Sequence, residues 1–537
     1  MTGKALCFIS AVIATSIAAC APPQTDNRQA ALEAAPKAER PNVLLILADD
    51  LGFSDIGAYG GEIPTPNLDR LAAEGVRFAR AYNTAKCSPT RAALLTGQYA
   101  HRVGLGGTVA RLDRPPRAPG PYQGFLEPQA VTIAEALGAA GYGVYMSGKW
   151  HAGEAPEHWP TRNGFDRYFG LISGASSYYE LRADEPRHRR MALDGEPWTP
   201  PPVGPNGEAR FYMTEAISDH ALRFLEAHRK TRPGDPWFLY LAHTAPHWPL
   251  HAPEADLAPF DGTYRDGWDA LRSARMERLK RLGLFPDAAS QSARPSDTPP
   301  WSDVEDRAFW EDRMEAHAAM VARMDREIGR LLQDIEAAGE LRNTLVLFLS
   351  DNGASHEDIT ERGLNDPAAP VGALGSYVAI RHPWAYAVSA PFRGHKLSPY
   401  EGGIASPMIA YWPDRLQEPG RIAQDVAHVI DLKPTILDAA GVESKTPMDG
   451  SSLTPVITEG RALPARALGF EYGGSAAYRE GAWKAVFDKE QGAWALYDVV
   501  ADPAETSDLA SQQPERLAAM IAAWEQWADD VGAKRVN

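Results

Sequence analysis

The residues that carry most of the chemistry are Cys87, in the run Cys87-Ser88-Pro89-Thr90-Arg91, and two pairs of oxygen donors, Asp49-Asp50 and Asp351-Asn352. The chain has three cysteines, Cys7, Cys20 and Cys87. The first two fall in an apolar N-terminal stretch that reads as a leader. Cys87 is then the one internal thiol of the mature chain, with no partner for a disulfide. A solitary thiol is either a nucleophile or an oxidation liability. Pro89 suits the first turn of a helix, where its missing N–H costs nothing. Residue 87 therefore sits at or just before a helix N-terminus, a position that favours negative charge. Arg91, four residues on, shares its helix face.

Asp49, Asp50, Asp351 and Asn352 together offer three carboxylates and one amide oxygen. Such a hard, all-oxygen set suits Ca²⁺ or Mg²⁺ rather than Zn²⁺. Asp49-Asp50 alone reads equally well as a strand-to-turn Asx pair. A second donor pair at another strand end makes ligation the better reading. Ca²⁺ is preferred, with Mg²⁺ the alternative, because its tolerant geometry accepts ligands gathered from distant strands.

The elements that must position these groups are short apolar runs, each ending in polar residues. Val43–Ala48 ends at Asp49-Asp50, Tyr142–Ser147 at Gly148-Lys149-Trp150-His151, Trp237–Ala242 at His243 and then His247, and Leu345–Ser350 at Asp351-Asn352-Gly353. Unbroken apolar runs of this length are expected of strands buried on both faces of a parallel sheet. Helical stretches at Asn67–Gly75, Thr132–Gly141, Thr214–His228 and Glu305–Gly339 separate them. The alternation predicts an α/β/α sandwich with a mostly parallel central sheet. In such sheets ligands bind beyond the carboxyl ends of the strands, and all four polar clusters fall there.

The same motifs resemble those of the type I sulfatases, the formylglycine-dependent branch of the alkaline-phosphatase superfamily, and most closely the bacterial arylsulfatases. Asn42–Phe53, Pro64-Thr65-Pro66-Asn67-Leu68-Asp69, the Cys87 motif with its following Leu94-Leu95-Thr96-Gly97, Gly148-Lys149-Trp150-His151, Ser350-Asp351-Asn352-Gly353 and Glu401-Gly402-Gly403 occur in the family's order. The resemblance implies that a maturation enzyme oxidises Cys87 to formylglycine, whose hydrate attacks sulfur. It implies metal ligation by Asp49, Asp50, Asp351 and Asn352, and orientation of residue 87 by Arg91. Lys149 and Lys396 then hold sulfate oxygens, His151 takes a proton as sulfate leaves, and His247, in Pro246-His247-Trp248-Pro249, serves the leaving oxygen. His243 and His251 are close competitors for that last role. His395, where the family usually carries Gly or Tyr, and Ala152, where Leu is common, depart from the pattern.

The expected activity is hydrolysis of sulfate monoesters, aryl or small alkyl. Carbohydrate sulfates would share every residue named. The alternatives are a phosphonate-monoester or phosphodiester hydrolase of the same superfamily, which would carry His at position 352, and a non-catalytic surface lipoprotein that retains the fold. The net charge of −16 argues against a nucleic-acid partner, and means that an anion site must be built locally.

Lys4, the apolar stretch Ala5–Ile17 and Ile17-Ala18-Ala19-Cys20 read as a lipoprotein-type signal peptide, residues 1–20. Lipidation of Cys20 would be the only membrane attachment, placing the protein in the periplasm or cell envelope. Residues 21–40, rich in Ala, Pro, Gln and Glu, read as a flexible tether. Residues 41–455 form the expected catalytic domain. Residues 456–537 form a smaller α+β domain, with an antiparallel sheet and a closing helix at Pro514–Val531. The polar segment 252–304 reads equally as a rim or lid and as a surface insertion.

Overall fold

Ten strands line up side by side at the centre of the molecule, which we describe from a computed structural model covering residues 1–3, 40–185, 187–204 and 209–536. The expected leader and tether lie outside the described residues apart from residues 1–3 and Arg40. In chain order the strands are β1 (Asn42–Ala48), β2 (Val76–Tyr82), β3 (Gly143–Gly148), β4 (Arg167–Leu171), β5 (Met191–Leu193), β6 (Glu196–Trp198), β7 (Trp237–Ala242), β8 (Thr344–Ser350), β9 (Ala405–Tyr411) and β10 (Arg421–His428). Their order across the sheet is β10-β2-β9-β8-β1-β7-β3-β4-β5-β6. The central run from β8 to β4 is parallel throughout. The strands at the two margins pair largely antiparallel.

The apolar runs behave as their composition requires. Every residue of β3, β7 and β8 is buried, as is β1 after Asn42. Helices Ile133–Ala139 and Met213–Thr231 both pack on β3, and the second also packs on the long helix Arg307–Ala337. These layers make the expected α/β/α sandwich.

A second, antiparallel sheet follows, β11 (Ala467–Tyr472), β12 (Ser475–Glu480), β13 (Trp483–Asp488) and β14 (Ala493–Asp498), with the helix Pro514–Val531 packed on it. A buried charge cluster ties this sheet to the large one. Lys484 on β13 donates to Glu401 Oε1 and lies 2.9 Å from Glu505 Oε1. Glu401 Oε2 accepts from Tyr82 Oη on β2 at 2.8 Å. Breaking one member of a buried ionic set costs several kcal/mol, about 3–5, because it strands the others without water.

The segment 252–304 is neither a free lid nor a plain surface insertion. Its helix, Gly267–Arg281, turns two buried arginines inward. Arg275 pairs with Asp55 at 2.8 Å and Glu62 at 2.7 Å. Arg272 donates to the carbonyls of Pro391 and Phe392, each at 2.8 Å. These bonds lock the insertion to the loop that leads to Lys396.

Candidate active site

Parallel register sets the site. Ala48 on β1 pairs with Ser350 on β8, so the next residues, Asp49 and Asp351, emerge side by side. The Asp351 amide donates to Ala48 O at 3.1 Å. Asp50 then turns into the left-handed region, φ 65°, which Asp tolerates better than most residues. Its amide reaches Asp351 Oδ1 at 3.3 Å. Two strands over, Gly148 of β3 pairs with Ala242 of β7. Gly148 has φ 124°, and a Cβ there would lie 1.9 Å from Ala242 O, so only glycine lets β3 turn out at that point. Lys149 and His151 follow at once.

Cys87 is the first residue of the helix Cys87–Thr96, and no side chain caps that N-terminus. Its Sγ lies 3.9 Å from Asp50 Oδ1. Arg91, fully buried, donates to Asp351 Oδ2 from Nε at 3.1 Å and Nη2 at 2.8 Å, and to Lys149 O at 2.7 Å. One guanidinium thus braces two strand ends against the helix that presents residue 87. Lys149 Nζ donates to Asp49 Oδ2 at 2.5 Å. From the other side, Lys396 Nζ donates to Asp50 Oδ2 at 2.8 Å.

His247 stands between these groups. Its Nδ1 donates to Trp248 O at 2.7 Å, leaving Nε2 to face Asp50 Oδ2 at 3.4 Å. The competing histidines are placed elsewhere. His251 is held by Ser376 O and the Tyr178 amide. His243 is buried with neither ring nitrogen bonded and is absent from the walls of the cleft that opens over Cys87. His151 sits in that cleft with φ 50°, a strained setting of the kind that gathers at functional sites. Burial first, then Lys149, hold its pKa well below the usual imidazole value, so the resting ring is neutral. Burial and then Lys396 do the same to His247. Burial and then Asp351 push the Cys87 thiol up to about 12.

The oxygen donors fit a hard divalent cation. Asp49 Oδ1 and Asn352 Oδ1 are buried without a hydrogen-bond partner among the described residues, a costly state for two polar oxygens unless something positive sits between them. Ligand atoms of Asp49, Asp50, Cys87 and His247 lie within 4.8 Å of one another. Three cations, Arg91, Lys149 and Lys396, already match the three carboxylates of Asp49, Asp50 and Asp351. A divalent cation would leave the site net positive and ready for an anion.

Sequence reasoning missed several residues of this neighbourhood. Glu357 accepts from Trp248 Nε1 at 2.8 Å and lies 3.7 Å from Lys396 Nζ. Lys86 and Glu357 line the cleft together with Arg111, Arg187, Arg189 and Arg362. Lys86 adjoins Cys87 in the chain, but nothing in the local sequence marks the others, and only the fold brings them to the opening. His395 stacks on His356 at 3.9 Å and lines a separate cavity of about 690 Å³ beside Lys396. The segment Ser292–Asp297 also lines that second cavity.

Fold and site together define a hydrolase of anionic esters built at the carboxyl ends of a parallel sheet. The comparisons make this specific. A family model described as Sulfatase matches residues 41–442, and one described as N-sulphoglucosamine sulphohydrolase, C-terminal, matches residues 395–526. The chain belongs to the sulfatase family, type I, and is a sulfuric ester hydrolase. It is 34% identical to an uncharacterized sulfatase of Schizosaccharomyces pombe, over 92% of this chain and 95% of that one. It is 33% identical to an arylsulfatase of Klebsiella aerogenes, over 78% and 90%. Among solved structures it resembles Ps i-CgsB, whose crystal structure holds k-i-k-neocarrahexaose, with a TM-score of 0.67 and 26% identity over 91% of this chain and 93% of that one.

Proposed function

We propose that the chain hydrolyses sulfate monoesters, aryl or small alkyl esters first among them, to an alcohol or phenol and inorganic sulfate. The reaction uses a formylglycine made from Cys87 and one divalent cation, Ca²⁺ in preference to Mg²⁺, held by Asp49, Asp50, Asp351 and Asn352. The observation that carries this reading is the convergence of the one internal thiol, four oxygen donors and three buried cations at one end of the sheet. The likeness to the Klebsiella arylsulfatase supports the aryl assignment.

When bound, the cation supplies positive charge that draws the sulfuryl oxygens and favours a deprotonated nucleophile. The hydrated aldehyde supplies one hydroxyl to attack sulfur and a second that lets sulfate be expelled. The protein's own groups do the rest. Lys149 and Lys396, aimed into the site from opposite sides, hold sulfuryl oxygens as charge develops on them. Arg91 fixes the helix that carries residue 87. His247 Nε2, the ring nitrogen not spent on Trp248 O, faces the departing oxygen and donates to it once the ring has taken up a second proton. Neutral His151 receives a proton from residue 87 as sulfate departs.

Two further proposals rest on the sequence. A partner enzyme must oxidise Cys87. The protein is exported to the periplasm or cell envelope and anchored through lipid on Cys20, supported by the basic start, apolar run and small residues before that Cys. No described helix is long and apolar enough to cross a membrane.

The test is to coexpress the full chain with a formylglycine-generating enzyme, establish the residue 87 mass, and assay chromogenic sulfate, phosphate and phosphodiester esters. Sulfate ester turnover that tracks the aldehyde fraction is expected. Equal or faster turnover of phosphorus esters, or full activity with the thiol intact, overturns the reading.

A further inference from the structure

The cleft over Cys87, about 480 Å³, is ringed by more positive charge than one sulfate needs. Besides Lys86, four guanidinium groups, Arg111, Arg187, Arg189 and Arg362, line it. They do so in a chain whose net charge is −16, so the concentration is local and against the trend of the whole molecule. Three of them are neutralised. Arg111 pairs with Asp113, Arg187 with Glu154 and Arg189 with Glu185. Arg362 differs, because it has no carboxylate partner among the described residues. Its guanidinium instead lies over the Trp248 ring, 4.4 Å from the centroid.

That stacking preorganises the group. A guanidinium held over an aromatic face by cation–π attraction keeps N–H donors available for an oxyanion. Trp248 is itself fixed, since its Nε1 donates to Glu357. The location is specific too. The Trp248 ring lies 4.6 Å from the His247 ring, and His247 is the group that faces the leaving oxygen. The contacts run from His247 to Trp248 and from Trp248 to Arg362, and all three residues line the cleft. A leaving group bonded through the oxygen at His247 would therefore lie on the wall that carries Arg362.

We propose that Arg362, set by Trp248, is a specificity-determining residue that binds a second anionic group, a sulfate or a carboxylate, carried by the leaving alcohol. Among sulfate esters of similar size, those whose leaving group carries a second anion, such as a disulfated or uronic-acid ring, are then preferred over their neutral counterparts. This rests on the sulfatase reading and deepens it. Arg187, with its buried Nε unbonded, flanks the same wall as a lesser contributor. Charge-assisted bidentate contacts of this kind are stronger than neutral ones and are weakened by salt when they lie near the surface.

The test compares three substrates on the matured full chain: a monosulfated N-acetylhexosamine, the same sugar with a second sulfate, and a sulfated sugar of matched size bearing a carboxylate. The wild type is expected to show at least tenfold higher kcat/KM for one or both anionic substrates, and the two arms say which oxyanion is read. Arg362→Gln should cut the ratio of anionic to neutral kcat/KM about tenfold, mainly through KM, while Arg362→Lys recovers part of it. The exposed Arg342→Gln, remote from the cleft, controls for net charge. Raising the salt should shrink the wild-type ratio. Equal rates on neutral and anionic sugars, or an Arg362→Gln ratio equal to wild type, overturns the assignment while leaving the sulfatase reading standing. A matured enzyme that turns over none of these sugars but cleaves simple aryl sulfates also overturns it, and one that cleaves no sulfate ester overturns both.

Discussion

Gly174 offers a way to move one proposed proton acceptor without touching it. A Cβ built at Gly174 would lie 2.4 Å from His151 Nε2 and 2.6 Å from its Cε1. Ordinary carbon contacts need about 3.5 Å, so in Gly174→Ala the imidazole must retreat by about 1 Å. The ring has somewhere to go, because it lines the open cleft. The backbone at 174 is not in the left-handed region, so alanine brings no strain of its own. A displacement of about 1 Å at a reacting group costs on the order of a hundredfold in rate. We therefore expect kcat/KM on a chromogenic sulfate ester to fall about a hundredfold, with the melting temperature changed by only a few degrees. Both proteins must be compared at equal aldehyde content at residue 87, measured by mass. The decisive arm is a double-mutant cycle. If His151 is what the new methyl disturbs, Gly174→Ala added to His151→Ala should change the residual rate less than threefold. The reasoning is refuted if Gly174→Ala alone keeps a third or more of wild-type kcat/KM, or if it costs a hundredfold even when His151 is already gone.

Two other outcomes are expected. Asn352→Ala removes one of the two orphaned oxygens and should raise the calcium dissociation constant at least tenfold by titration calorimetry, with a smaller calcium-induced rise in melting temperature than wild type; an unchanged constant would remove Asn352 from the ligand set. Stability should also fall in mild acid. Burial holds His251 down at about 4 and His428 at about 3, with Arg182 and Arg466 adding to the respective shifts. The unfolded chain takes up protons below about 6.5 that the fold refuses, so each group contributes stability present above that pH and lost as pH falls toward its folded value. Between pH 7.5 and 5.0 each costs about 2 kcal/mol, readable as a drop in the urea midpoint, and His251→Gln should remove about half of the part these two supply; a flat profile would contradict the burial argument.

The elements legible in the sequence were those whose residues are buried on every side. β1, β3, β7 and β8 appear as unbroken apolar runs because helices cover both faces, and their boundaries fall within about a residue or two of the expected ones, the usual fuzziness of element ends. The helix Pro514–Val531 matches its expected span. Strands that face solvent or charge on one side left no such run. β2 carries Arg77 and Arg80, β10 is only partly buried along much of its length, and β9, though buried throughout, has its apolar run interrupted by Ser406 and Pro407. β12, with Arg479 and Glu480 at its end, escaped for the same reason.

The sequence by itself determined which groups stand at the strand ends, because chain order alone places a polar residue after an apolar run. It could say that Asp49, Lys149, His247 and Asp351 share one end of a sheet. Tertiary structure decided their pairing. That Arg91 clasps Asp351, that Lys149 takes Asp49 and Lys396 takes Asp50, follows from strand order and register, which bring residues 260, 100 and 346 positions apart into contact. The wall of the cleft was likewise beyond reach. Arg362 and Trp248 lie far apart in the chain, and although Trp248 directly follows His247, nothing near Arg362 marks it. Their contact exists because two loops from different strands fold over the same opening, and no local pattern records where a loop will land.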